Sequence, residues 1–205
     1  MSYDVYNDFE DALGEYTGAP YVVLTDCCTH AIELCMRYKQ VSYTMCPTHT
    51  YISVPMMLYK CDIGFEWSDE PWYYEYELSD GIWDSARALD RNMYRKGQMQ
   101  CLSFGHSKRL DLKRGGAILL DNMQDYVALK KMGYDGRDLD ISPWELQQQF
   151  TLGFHYKMDM ETAKAGHIKL WANELASKSS QMVNYPNVSK LKFDIPSKYK
   201  YNITQ

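Results

Sequence analysis

From Phe9 to Phe65, short apolar runs alternate with segments of helical spacing, and that alternation leaves few folds open to this 205-residue chain. Phe9, Ala12, Leu13 and Tyr16 recur at intervals of three and four, as on one face of a helix, and Gly18 stops it. Tyr21-Val22-Val23-Leu24 then reads as a strand. Helical spacing resumes at Ala31, Ile32, Leu34, Cys35 and Tyr38, with Thr29 as the expected N-cap. A strand over Tyr43-Thr44-Met45-Cys46, a turn at Pro47, a short helix through Met56-Met57-Leu58-Tyr59 and a strand around Ile63-Gly64-Phe65 complete the series. The order β-α-β-α-β predicts an α/β fold, with a mostly parallel sheet flanked by helices on both faces.

Three further apolar runs follow. Ile82-Trp83 leads to Asp84, Met99 to Phe104 reads as a buried strand, and Gly115-Gly116 opens the run Ala117-Ile118-Leu119-Leu120. Between Trp67 and Tyr76, the passage Trp72-Tyr73-Tyr74-Glu75-Tyr76 has no clean period and reads as a loop or an edge strand. Asp121 is placed to cap a helix through Tyr126, Leu129 and Met132, residues 133–138 read as a turn, and a helical pattern runs from Met158 to Leu175. The expected organisation is one large domain over residues 1–183 and an irregular C-terminal extension over 184–205, which carries Pro186, Pro196 and scattered lysines.

Composition excludes several classes. No apolar run approaches the roughly 20 residues that cross a bilayer, and Met1-Ser2-Tyr3-Asp4 does not open a signal peptide, so no membrane is expected and cytoplasmic residence follows by default. A net charge of -5 without a Lys/Arg stripe argues against nucleic acid; Lys108-Arg109 and Lys113-Arg114 read as local charge. Cys27, Cys28, Cys35, Cys46, Cys61 and Cys101 form no C-x-x-C pair, and are expected to be reduced thiols rather than metal ligands.

The chemistry gathers by position. Thr25 to Thr29, Thr48 to Tyr51, Asp84, and Ser103 to Lys108 each follow the carboxyl end of a predicted strand, and in an open parallel sheet those ends share one rim where ligands bind. A lysine, an acid and a glycine pair on such a rim suit pyridoxal phosphate (PLP), whose aldehyde condenses with a lysine and whose ring nitrogen takes an acidic partner. On that reading Lys108 is the covalent attachment point and proton shuttle, Asp84 the ring-nitrogen partner and Tyr51 a stacking face. Thr29, at a helix start, and Ser103 would hold the phosphate. Taken singly, each has a plainer reading: Asp84 and Thr29 as helix caps, Tyr51 as core, Ser-x-x-x-x-Lys as chance, and His30, His49 and His106 as surface or core histidines. The joint pattern carries the argument.

These residues resemble the DegT/StrS family of PLP-dependent sugar aminotransferases, which have the aspartate aminotransferase type I fold. The resemblance runs from about Phe9 to Leu175. Phe9-Glu10-Asp11-Ala12 and Tyr16-Thr17-Gly18-Ala19 match the family's opening helix and glycine. Thr25-Asp26-Cys27-Cys28-Thr29-His30-Ala31 is similar to its phosphate-binding turn, with Cys28 in place of a glycine, and Thr50-Tyr51-Ile52-Ser53 resembles the segment supplying the stacking aromatic. Asp84-Ser85-Ala86-Arg87 looks like the D-x-A-[QH] motif, with Arg87 at the position of a glutamine or histidine near the cofactor. Ser103 through Lys108, followed by Gly115-Gly116, resembles the lysine motif; relatives with histidine there perform dehydration, so lysine implies transamination. Gly153-Phe154-His155-Tyr156-Lys157-Met158 is similar to a segment that reaches the partner subunit's cofactor phosphate, a role the resemblance passes to His155.

The resemblance implies a homodimer with shared active sites that moves an amino group from an amino acid, glutamate above all, to a keto sugar, most often nucleotide-linked. Family members continue into a small C-terminal domain of which this chain has room for little. That leaves open an inert PLP-binding partner of a full-length enzyme, and also a rim that holds another phosphate-bearing ligand.

Overall fold

The computed structural model describes residues 4–177 and 185–196. Helix α1 (Asp4–Thr17) ends at Gly18, whose φ of 79° lies in the left-handed region that glycine adopts without strain. Strand β1 (Tyr21–Thr25), helix α2 (Cys28–Tyr38), strand β2 (Tyr43–Pro47), helix α3 (Ser53–Lys60) and strand β3 (Gly64–Ser68) follow in the predicted order. Then come β4 (Tyr76–Ser79), β5 (Ile82–Asp84), β6 (Met99–Ser103), β7 (Gly116–Leu120), α4 (Met123–Gly133) and α5 (Met160–Trp171). The fold is α/β, and a five-stranded sheet in the order β1-β7-β6-β5-β4 forms its centre, with β2 and β3 paired in parallel beside it.

Strand alternation sorts the core into two layers. Val22 and Leu24 of β1, Leu102 of β6, and Ala117 and Leu119 of β7 face α1 and α5; Val23, Cys101, Ile118 and Leu120 face α2, α3 and α4. Gly166 of α5 lies against the Phe9 ring of α1, where a Cβ would collide with it, so the two helices cross closely. Leu13, Leu24, Leu34, Leu58 and Leu102 are all fully buried, each worth about 1.5–3 kcal/mol of transfer free energy.

The sheet is mixed where the alternation predicts a mostly parallel one. β1, β5 and β6 run one way, and β4 and β7 run against them. Connection length is the reason at the β4–β5 edge. Parallel neighbours need a crossover of a dozen or more residues, whereas β4 returns into β5 through the two residues Asp80 and Gly81, which forces an antiparallel hairpin. Two cap positions and one helix end also differ. Thr29 does not cap α2: Cys27 is the N-cap, in an extended conformation that offers no side-chain hydrogen bond. Asn122 rather than Asp121 caps α4, by accepting from the Gln124 and Asp125 N–H groups. Asp159 caps α5, which stops at Trp171, short of Leu175. Pro47 ends β2 instead of forming a turn.

The C-terminal stretch 185–196 holds one 3-10 turn, Val188–Lys190, tied down by Val188 N–H donating to the Thr48 carbonyl at 2.7 Å. The remaining parts of the expected extension, residues 184 and 197–205, lie outside the described residues.

Candidate active site

The turn from β1 into α2 is shaped by Gly115 and Gly116. Gly115 N–H donates to the Asp26 carbonyl at 3.0 Å, and a Cβ on Gly116 would lie 2.6 Å from backbone atoms of Cys27 and Cys28. Only glycine allows β7 this close to the turn, which accounts for the pair in the sequence. With no side-chain cap, the first-turn N–H groups of α2 keep their positive dipole end for a ligand. Thr29 Oγ1 lies 2.6 Å from Ser53 Oγ, joining the starts of α2 and α3. Ser103, at the end of β6, accepts the Gly105 N–H at 3.3 Å.

Asp84 ends β5 and is buried. The Tyr76 hydroxyl donates to its Oδ2 at 2.7 Å, and the Ala86 N–H donates to Oδ1 at 3.0 Å. Burial raises its pKa, against the pull of those donors and of the Lys108 charge. Cys28 Sγ lies 3.9 Å from Asp84 Oδ1 and 3.4 Å from the Cys101 carbonyl, so burial and the neighbouring carboxylate push this thiol well up and keep it neutral.

Lys108 sits one residue after Ser107, whose φ of 70° turns the chain back so that Lys108 N–H donates to the Gly105 carbonyl at 3.2 Å. Burial lowers its pKa; the charge of Asp84 opposes this and that of Arg87 adds to it. A lysine so placed supplies more neutral amine near neutral pH than an ordinary one, as a nucleophile must.

Cys28, Thr29, Tyr51, Asp84, Arg87, Ser103 and Lys108 line one cavity of about 450 Å³, a volume suited to a coenzyme-sized ligand. His155 is not among its lining residues. It bridges Tyr134, and its ring, 73% exposed, is held at 2.9 Å by Asp135. Sequence reasoning missed Tyr76, Thr50 and Tyr185. Asp80-Gly81, a frequent hairpin pair, was the available signal for Tyr76, because that turn sets it opposite Asp84. All six cysteines are free thiols. Asp26, Cys27 and His30 bring possible ligand atoms within 4.8 Å of one another, a grouping that Arg114 neutralises through its 3.0 Å pair with Asp26.

Residues 1–64 match the sequence model of the DegT/DnrJ/EryC1/StrS aminotransferase family. No curated protein matches in sequence. Among solved structures, 3-amino-5-hydroxybenzoic acid synthase superposes with a TM-score of 0.68 at 15% identity, over 83% of this chain and 56% of that one. The aminotransferase from Psychrobacter cryohalolentis gives 0.66 at 13%, over 82% and 56%. A GDP-4-keto-6-deoxymannose-3-dehydratase with bound GDP-perosamine gives 0.63 at 12%, over 82% and 60%. The chain thus spans 56–60% of the length of these structures. At such identities the likeness establishes the fold, that of type I PLP-dependent aminotransferases. Sequence over residues 1–64 and fold over the described chain agree that the family this protein resembles is the DegT/DnrJ/EryC1/StrS aminotransferases.

Proposed function

We propose that this chain is a PLP-dependent aminotransferase that moves an amino group from an amino acid to a keto sugar. One observation carries the reading: a lysine with a lowered pKa and a buried aspartate line the same cavity as an uncapped helix start. The residues fit the coenzyme. The first turn of α2 with Thr29 and Ser103 would take its phosphate, Tyr51 its ring face, Cys28 and Arg87 would flank it, and Lys108 Nζ would hold its aldehyde carbon. When bound, PLP supplies a carbon that accepts and returns the amino group and a ring that withdraws electrons while its nitrogen is protonated.

Asp84, whose carboxylate Tyr76 and the Ala86 amide hold in place, would keep that nitrogen protonated, since a carboxylate within hydrogen-bonding reach stabilises the cation. With the coenzyme bound, the Lys108 amine would act as the general base that takes the proton from the donor's α-carbon. Lysine at this position, where dehydratase relatives carry histidine, supports amino transfer over dehydration. A nucleotide-linked sugar as acceptor and glutamate as donor follow from the family resemblance, as do a homodimer in which His155 reaches the partner's coenzyme phosphate and a coenzyme domain over residues 1–183.

The test is borohydride reduction of PLP-saturated protein followed by peptide mapping, then incubation with L-glutamate and a panel of nucleotide-linked keto sugars. Label on Lys108, and an amino-sugar product lost in Lys108→Ala, are expected. Labelled but inert protein would favour the non-catalytic partner of a longer enzyme, and absence of label at Lys108 would remove PLP from the reading.

A further inference from the structure

Arg87 lines the cavity, yet it joins no ion pair among the described residues. Every other arginine is accounted for. Arg37, Arg95, Arg109, Arg114 and Arg137 pair with carboxylates, and Arg91 lies over the Tyr16 ring at 4.8 Å. The Arg87 guanidinium instead faces the hydroxyl of Tyr185, which also lines the cavity. Tyr185 is held there from both sides. Its carbonyl lies 2.8 Å from His49 Nδ1, its ring packs 6.1 Å from that of Tyr51 and 6.2 Å from that of Trp72, and Val188 N–H anchors the next turn to Thr48. Lys108 adds a second positive charge on the same cavity.

Asp84, the one carboxylate lining this cavity among the described residues, is engaged by Tyr76 and the Ala86 amide. The Arg87 guanidinium is half-buried and has no carboxylate partner among the described residues, so it is available to an incoming anion. Its planar fork matches two coplanar oxygens, and the phenol adds a third donor from the C-terminal segment.

We propose that Arg87 and Tyr185 form a carboxylate subsite that seats the carboxylate of the amino-acid donor beside Lys108. The donor assignment rests on the aminotransferase reading; the anion subsite itself rests on Arg87 and Tyr185. Arg87 departs from the glutamine or histidine of the resembling motif, so this subsite is a property of this chain.

Calorimetric titration of the protein with succinate tests it, with and without PLP, using succinamide as the uncharged probe. Succinate is expected to bind and succinamide not. Arg87→Gln should weaken succinate by about tenfold or more, Tyr185→Phe by about threefold, and Arg87→Lys should fall between wild type and Arg87→Gln. The affinity for PLP in these variants should change less than that for succinate. Absence of succinate binding to wild type, or equal binding to wild type and Arg87→Gln, overturns the proposal. So does a larger loss for PLP than for succinate, because Arg87 would then serve the coenzyme's own phenolate oxygen. A protein that binds succinate but no PLP would retain the subsite and lose the aminotransferase reading.

Discussion

The Tyr76 hydroxyl donates to Asp84 Oδ2 at 2.7 Å, across the register pair at the open end of the β4–β5 hairpin. The same hydroxyl lies 2.6 Å from Thr50 Oγ1, so one phenol serves two buried polar groups. Tyr76→Phe removes both contacts at no gain in volume. It should cost about 1.5–3 kcal/mol in urea unfolding, the range for a buried bond to a charged group, and should raise the Asp84 pKa further. Stability equal to wild type would mean that Asp84 does not depend on this donor.

Gly116→Ala places a methyl 2.6 Å from the Cys27 and Cys28 backbone, where no side-chain rotation relieves it. The expected loss is about 3 kcal/mol or more, together with loss of PLP binding, because the turn proposed to hold the phosphate must move. Gly97 is the comparison: its Cβ would meet nothing within 4 Å, and only its φ of 78° opposes a side chain. Gly97→Ala should therefore cost about 1–2 kcal/mol. Similar losses in the two would remove the argument that Gly116 sets the turn.

His30 gives a pH signature. Burial pulls its pKa down, but hydrogen bonds to Asp26, at 2.6 Å, and to Cys27 raise it to about 9. The folded state then binds more protons than the unfolded one between pH 6.5 and about 9, so the stabilisation is complete below pH 6.5 and disappears as pH rises through 9. The stability difference between wild type and His30→Gln should be largest near pH 6 and smallest above pH 9. A difference independent of pH would show that the pair is not ionic.

Legibility followed the range of the interactions. The strand ends that carry Asp84 and Lys108 were visible because each follows a local apolar run, and the cavity that joins them required only that those runs share a sheet. Thr29 was misplaced as a cap because the start of α2 is set by close approach of Gly116, a contact between distant segments. The mixed sheet was hidden because periodicity gives strand existence and not strand direction. Tyr185 leaves no local signal at all: its role comes from Arg87, Tyr51 and Trp72, far away in sequence.

Lysine reactivity should separate Lys108 from its neighbours in the fold. Burial lowers its pKa, whereas Glu33 and Tyr156 raise that of Lys60 and Glu10 raises that of Lys130. Trace acetylation across pH, read by mass spectrometry, should give Lys108 the lowest midpoint of the three. Asp84→Asn should lower that midpoint again and Arg87→Gln should raise it, because these charges act on Lys108 in opposite senses. A Lys108 midpoint at or above that of Lys130 would contradict the site electrostatics.

If each active site takes Lys108 from one subunit and His155 from the other, two inactive variants should rescue each other. Lys108→Ala removes the amine, and His155→Ala removes the proposed contact to the partner's coenzyme phosphate. A mixed dimer collects both lesions in one site and leaves the other intact. Co-expressed in equal amounts and assorted at random, the pair should recover about a quarter of wild-type activity, since half the dimers are mixed and each has one working site. The exposed ring of His155 lies outside its own cavity and, among the described residues, is held by Asp135, which is consistent with that reach. Absence of rescue, with both variants folded and light scattering showing a dimer, would confine each site to one chain and leave His155 as an ordinary surface partner of Asp135.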